Sequence, residues 1–227
     1  MKKVIVLNLG GSLIIPDKVD VSYLKKFREV IRKNSRQYKF VIVCGGGNIA
    51  RKYISALRED GINEVLQSYA GISSTRTNAR FMSYFFNQNP EKGIPEKMNE
   101  IQKYLRKQDV VFCGALEYKP RQTSDSTTAE VARHFKSIFI TLTNVPGLYD
   151  RDPKEFKSAK FIPTISWKHF YEAARKIKYK PGQNFVLDQT AAKTIMKYKI
   201  PTYILKDPKQ LDNLLNRKRF IGTTIKG

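Results

Sequence analysis

Val4-Ile5-Val6-Leu7-Asn8-Leu9 runs directly into Gly10-Gly11-Ser12, and Phe40-Val41-Ile42-Val43-Cys44 runs into Gly45-Gly46-Gly47. Both runs are β-branched and apolar without clean polar alternation, the pattern of parallel strands covered on both faces. Glycine at the carboxyl end of such a strand lets main-chain N–H groups come close to an anion, and a following helix adds its positive end. Ligands of open parallel sheets bind at those strand ends. Glycine after a strand is also an ordinary turn former, so either turn alone says little. The pair predicts two phosphates brought together. Neither turn matches GxxxxGK[ST] or GxGxxG, which excludes a Walker A loop and a dinucleotide fingerprint here.

Outward from these turns, strand and helix patterns alternate to the end of the chain, predicting an α/β fold with a largely parallel sheet and neither linker nor repeat. Val21 to Lys33 carries Leu24, Phe27, Val30 and Ile31 at helical spacing. Further helices are expected from about Asn48 to Arg58, Val65 to Phe86 and Lys97 to Arg106. Asp109 to Cys113 reads as a third strand ending in Gly114-Ala115, and Ser137 to Thr143 as a fourth. A short strand near Phe161, helices from Trp167 and over Asp188 to Tyr198, and strands at Thr202 to Leu205 and Phe220 to Ile225 complete one domain over residues 1–227. Two loops carry chemistry. Thr123-Ser124-Asp125-Ser126-Thr127-Thr128 gathers hydroxyls and a carboxylate at a helix start, either as an N-cap with a hydroxyl ladder or as ligand donors with an acid. Asn144 to Pro153 combines turn formers with Tyr149, Asp150 and Asp152, and a ring there could cover a nucleobase.

Composition narrows the class. The chain has 41% hydrophobic and 11% aromatic residues, which places it among globular proteins. Its apolar runs are too short to span a bilayer, and Met1-Lys2-Lys3 leads into a strand rather than a signal peptide, so a cytoplasmic protein is expected. Cys44 and Cys113 each end an apolar strand and read as buried structural thiols. His134 and His169 match no metal spacing. The net charge of +22, from 42 Lys plus Arg against 20 Asp plus Glu, favours anionic ligands. Its even dispersal reads as a solvated surface that attracts nucleic acid only unspecifically.

These residues resemble the amino acid kinase superfamily and, within it, the archaeal type of uridylate kinases. The resemblance rests on Leu9 to Ser12, Gly45 to Ile54, Thr75-Arg76-Thr77-Asn78-Ala79, Thr123-Ser124-Asp125 and Thr141 to Val145. It continues through Gly147-Leu148-Tyr149, Asp152-Pro153, Val186-Leu187-Asp188 with Ala191-Ala192-Lys193, and Gly222 to Ile225. It implies a three-layer αβα sandwich with an acceptor-binding part over about 1–135 and an ATP-binding part over about 136–227. The implied reaction moves the γ-phosphoryl of ATP, accompanied by Mg²⁺, to the phosphate of UMP. By position, Gly10, Gly11 and Ser12 would hold the transferring phosphate, Gly47 and Arg51 would contact phosphate beside ATP, and Asp125 would order the catalytic centre. Gly46, Ser68, Thr123 and Ser124 would line UMP, and Thr143, Asn144, Tyr149 and Asp152 would line the base and ribose of ATP. The resemblance also implies a hexamer built from dimers.

The sequence departs from the family pattern at four places. Asn8 stands near the position of a usual lysine, Pro146 replaces an acid, the acid expected at the acceptor ribose falls near Ser68, and Gly114-Ala115 replaces a glycine pair. Lys52, Lys157 and Lys160 are candidates to supply the missing cation. Two other readings follow from these departures: a sibling kinase with another phosphate or carboxylate acceptor, and a non-catalytic nucleotide or nucleic-acid binder built on the same fold.

Overall fold

The computed structural model describes residues 2–89, 93–120, 122–151, 155–176 and 187–227. In chain order these form β1 (Lys3–Leu9), α1 (Gly11–Ile14), α2 (Val21–Asn34), β2 (Tyr38–Cys44), α3 (Gly47–Glu59), α4 (Glu64–Phe85) and α5 (Met98–Lys107). Then come β3 (Val110–Cys113), α6 (Ser124–His134), β4 (Phe139–Leu142), β5 (Leu148–Tyr149), β6 (Phe161–Ile162), β7 (Thr164–Ile165) and α7 (Trp167–Arg175). The chain closes with α8 (Gln189–Tyr198), β8 (Thr202–Leu205), α9 (Pro208–Leu215) and β9 (Thr223–Ile225).

Seven strands make one sheet in the order β3-β2-β1-β4-β8-β9-β7. The first five run parallel, β9 is antiparallel to β8, and β7 is parallel to β9. β1 therefore has β2 on one side and β4 on the other. The connections leave it in opposite directions, which makes the carboxyl end of β1 the switch point of the sheet, where such folds bind ligands.

Period-two alternation along the strands divides the core. Ile5, Leu7 and Leu9 join Phe40, Ile42 and Phe112 in a cluster with α2, α4 and α9, whereas Val6, Val41, Val43 and Val111 join α5, α6, α7 and α8 on the other face. This is the expected three-layer arrangement. Leu24, Phe27 and Ile31 form the buried stripe of α2, each fully buried side chain of this kind contributing about 1.5–3 kcal/mol. Cys44 and Cys113 are both fully buried, in different clusters, and burial pushes the Cys113 thiol up to about 12. They are packing residues, as expected.

Several elements differ from the sequence reading. Helix α1 is a single turn that glycine content hid. Helix α9 was not foreseen, although Asp207 caps it through Gln210 N and Pro208 opens it. The strand pair β7–β9 extends the sheet, and the terminal strand is shorter than predicted: Phe220 packs edge-on against Tyr203 at 6.0 Å and Ile221 is 63% exposed. The fourth strand stops at Leu142, and Thr143 N adds one last bond to Leu205 O of β8 at 2.9 Å. Among the described residues no helix is long and apolar enough to cross a membrane.

Candidate active site

The two glycine turns touch. Gly10 N donates to Leu142 O at 3.0 Å and Gly45 N donates to Leu9 O at 2.9 Å, so each turn continues the ladder at the end of β1. A Cβ on Gly11 would stand 2.2 Å from Gly47 N, and one on Gly47, whose φ is +63°, would stand 2.5 Å from the Gly11 carbonyl carbon. Only glycine permits this approach. Asn78 on α4 braces the second turn by donating from Nδ2 to Gly45 O at 2.7 Å. Helices α1 and α3 start at these turns without side-chain caps, which leaves their first amides for a ligand.

Around the turns lies a cleft with about 200 Å³ of free volume. It gathers Gly10, Gly11, Ser12, Gly46, Gly47, Arg51, Ser68, Thr123, Ser124, Asp125 and Thr143 from the sequence-based set. Asn144 is exposed and Tyr149 half-buried in the chain beyond β4, and neither lines the cleft; Tyr149 instead stacks edge-on against Phe161 at 5.5 Å. Asp152 lies outside the described residues. Lys52, Lys157 and Lys160 do not line the cleft either, so none of these three brings the expected cation to it. Its described cations are Arg51, which makes no hydrogen bond or ion pair among the described residues, and Lys119, held at 2.7 Å by Glu130.

The loop at Thr123 shows the cap and hydroxyl ladder of the first reading, and Thr123, Ser124 and Asp125 also line the cleft. Thr123 Oγ1 caps α6 by accepting from Asp125 N at 3.1 Å, and Thr127 and Thr128 bond back to the carbonyls of Thr123 and Ser124 as a hydroxyl ladder. Thr123 Oγ1 also donates to Asp188, a buried acid whose site role the sequence reading did not find. Ser126 Oγ lies 2.8 and 2.7 Å from the two Asp188 oxygens, and Ala191 N donates to Asp188 Oδ1 at 2.8 Å. The cap of α8 thus fixes the cap of α6. An aspartate directly before a helical pattern was the available signal, but cap and site look alike in sequence.

Asp125 is half-buried beneath the turns. Asn8 Nδ2 donates to its Oδ1 at 2.6 Å and to Thr141 Oγ1 at 3.3 Å. Burial, and secondarily the charge of Asp188, raises the Asp125 carboxyl well above the ordinary aspartate value, while the Asn8 bond opposes the shift. On the opposite wall Ser68 Oγ donates back to Glu64 O at 2.8 Å. Glu117 carries a carboxylate into the lining from the loop after β3. That loop is anchored by Arg76 on the carbonyls of Ala115 and Leu116 and by Thr75 Oγ1 on Ala115 N at 2.9 Å.

Residues 3–206 match the model of the Amino acid kinase family. The chain belongs to this family. It is 31% identical over 224 residues to the uridylate kinase of Thermococcus kodakarensis, covering 97% of this chain and 98% of that one. It is 33% identical over 228 residues to the uridylate kinase of Thermoplasma volcanium, covering 99% and 98%. The crystal structure of uridylate kinase from Archaeoglobus fulgidus superposes with a TM-score of 0.82 at 32% identity, covering 98% of this chain and 99% of that one. Within this amino acid kinase, the turn-to-turn contact and the Asn8–Asp125 hydrogen bond tie β1 and α1 to α3 and α6.

Proposed function

We propose that this amino acid kinase transfers the γ-phosphoryl of ATP to UMP, giving UDP and ADP and so feeding pyrimidine nucleotide synthesis. The observation that carries the reading is the contact between Gly11 and Gly47, which sets two uncapped helix starts against one cleft. Its full-length likeness to uridylate kinases supports the choice of UMP.

Phosphoryl transfer needs alignment and charge neutralisation more than covalent chemistry. Gly10, Gly11 and Ser12 hold the phosphoryl group in flight, Gly10 by turning the chain while its own N–H stays on Leu142 O, and Gly47 with Arg51 grips donor phosphate. The planar fork of Arg51 suits that task because it pairs two phosphate oxygens at once. Gly46, Ser68, Thr123 and Ser124 line the acceptor, within an acceptor half over about 1–135. Thr143, Asn144, Tyr149 and Asp152 serve the ATP base and ribose in the remaining half. Asp125 orders the centre through Asn8. Mg²⁺ would be carried in on the nucleotide phosphates. When bound, that ion shields phosphate charge. We place the protein in the cytoplasm, as a hexamer, with nucleic acid attracted only by charge.

Purified protein with Mg²⁺, ATP and a panel of nucleoside monophosphates tests the reading. UDP formation with UMP preferred is the expected result. ATP binding without any UDP would overturn it, and preference for a non-nucleotide acceptor would point to the sibling kinase that Ser68 leaves open.

A further inference from the structure

One buried oxygen beneath the glycine turns lacks a partner among the described residues, and one carboxylate oxygen of the residue hydrogen-bonded to the same side chain is left unbonded in the cleft. Asn8 is 4% exposed, and its Nδ2 is committed to Asp125 Oδ1 and Thr141 Oγ1, while its Oδ1 has no hydrogen-bond partner among the described residues. Asp125 accepts from Asn8 through Oδ1, and its Oδ2 likewise makes no hydrogen bond among the described residues. Turning the Asn8 amide over only moves the deficit, since it leaves the buried Nδ2 without an acceptor. No lysine, arginine or histidine bonds to either side chain among the described residues. Asn8, Asp125 and Thr141 all line the cleft, so phosphates entering between the turns bring further negative charge toward these oxygens. A buried carbonyl and a carboxylate facing phosphate need positive charge between them.

We propose that Asn8 Oδ1, Asp125 Oδ2 and Thr141 Oγ1 bind a monovalent alkali cation, whose coordination is completed by nucleotide phosphate oxygens. The proposal rests on the kinase reading of the cleft for those last ligands. All three donors are hard oxygens, and only one is a carboxylate. Asp188 cannot add a second, because Thr123, Ser126 and the Ala191 N–H already occupy its oxygens. One carboxylate with two neutral oxygens is a low-charge donor set, which favours an ion such as K⁺ over a protein-held divalent ion that demands more charge and stricter geometry. The cation lies between Asp125 and the phosphates, where it lowers the repulsion that transfer must overcome.

Two measurements decide it. Crystals of the protein with ADP and UMP, grown with Tl⁺ in place of other alkali ions, should show an anomalous peak in contact with Asn8 Oδ1. A water molecule or a lysine ammonium at that position overturns the proposal. Turnover at saturating Mg–ATP and UMP should be roughly tenfold higher in KCl than in tetramethylammonium chloride of equal ionic strength. In Asn8→Lys the side-chain ammonium replaces the ion, and the ratio of the two rates should fall to about one. Equal rates in both salts for the unsubstituted protein overturn the proposal and leave the kinase reading intact. Absence of turnover in either salt overturns the kinase reading, and the Tl⁺ peak then decides the site by itself.

Discussion

Replacing Gly11 by alanine puts a Cβ 2.2 Å from Gly47 N, 2.5 Å from Gly45 O and 2.6 Å from Gly47 Cα. All three neighbours are main chain, so none can rotate away. Relief to ordinary contact, about 3.5 Å between heavy atoms, requires the two turns to part by more than about 1 Å. Overpacking of this kind costs about 1–3 kcal/mol, or about 2–12 °C in Tm for a chain of this size. The effect on chemistry is larger, because a misplacement of about 1 Å between reacting groups costs on the order of a hundredfold in rate. Steady-state UDP formation should therefore fall about a hundredfold in Gly11→Ala, with circular dichroism unchanged. Gly61→Ala is the control. Its φ is +73° and a Cβ there meets nothing within 4 Å, so it costs about 1 kcal/mol of backbone strain without touching turnover. A Gly11→Ala protein that turns over within roughly threefold of the original would refute the claim that turn contact sets the reaction geometry.

Asp188→Ala strands two hydroxyls and an amide that now share one carboxylate, and it removes the cap of α8; thermal unfolding should show a loss of about 2–4 kcal/mol. Asp212 joins α9 to α2, accepting from Lys33 at 2.8 Å and from Asn34 at 2.9 Å. Partial burial raises its carboxyl, but the Lys33 and Asn34 hydrogen bonds and the charges of Lys33 and Lys218 outweigh this, leaving it below the ordinary value. A lowered carboxyl stabilises the fold above the unfolded range near ~4 and loses that contribution as pH falls through the lowered value. Asp212→Asn should thus lower Tm at neutral pH, and the gap from the original protein should close in acid; a gap constant with pH contradicts the assignment. Cys44 and Cys113 should react with a thiol reagent only as fast as the protein unfolds, since burial raises both thiols; stoichiometric labelling of native protein in minutes contradicts it.

Much of the architecture was legible because β1 and β2 are apolar on both faces, a pattern that an exposed antiparallel sheet does not tolerate. Helix α2 was legible from spacing alone. Helix α9 was not: it spans eight residues, too few for periodicity to stand out, and its Asp207-Pro208 start equally suits a turn. In the site, the glycine turns, Arg51 and Thr123 to Asp125 announced themselves through residue type. Asp188 did not, since its partners Thr123 and Ser126 lie 65 and 62 residues away. Asn144 and Tyr149 were expected at the base and ribose of ATP, and neither lines the cleft around the glycine turns. Leu148-Tyr149 pairs there with Phe161-Ile162, a two-residue strand too short to be read from the sequence.

The central position of β1 also bears on the order in which the molecule assembles. Val6, Leu7, Asn8 and Leu9 pair with Phe139 to Leu142, residues that leave the ribosome long after β1 and β2 can meet. Until β4 arrives, the largely apolar β1 is an open edge with unpaired main-chain groups, the arrangement that invites pairing with another copy. The nascent chain is therefore most vulnerable to aggregation in the interval between synthesis of Cys44 and of Leu142. The closing of that edge by β4 also supplies Leu142 O to Gly10 N, so the same docking step that ends the vulnerability creates the cleft, and a nucleotide can be held only by a chain that has passed it.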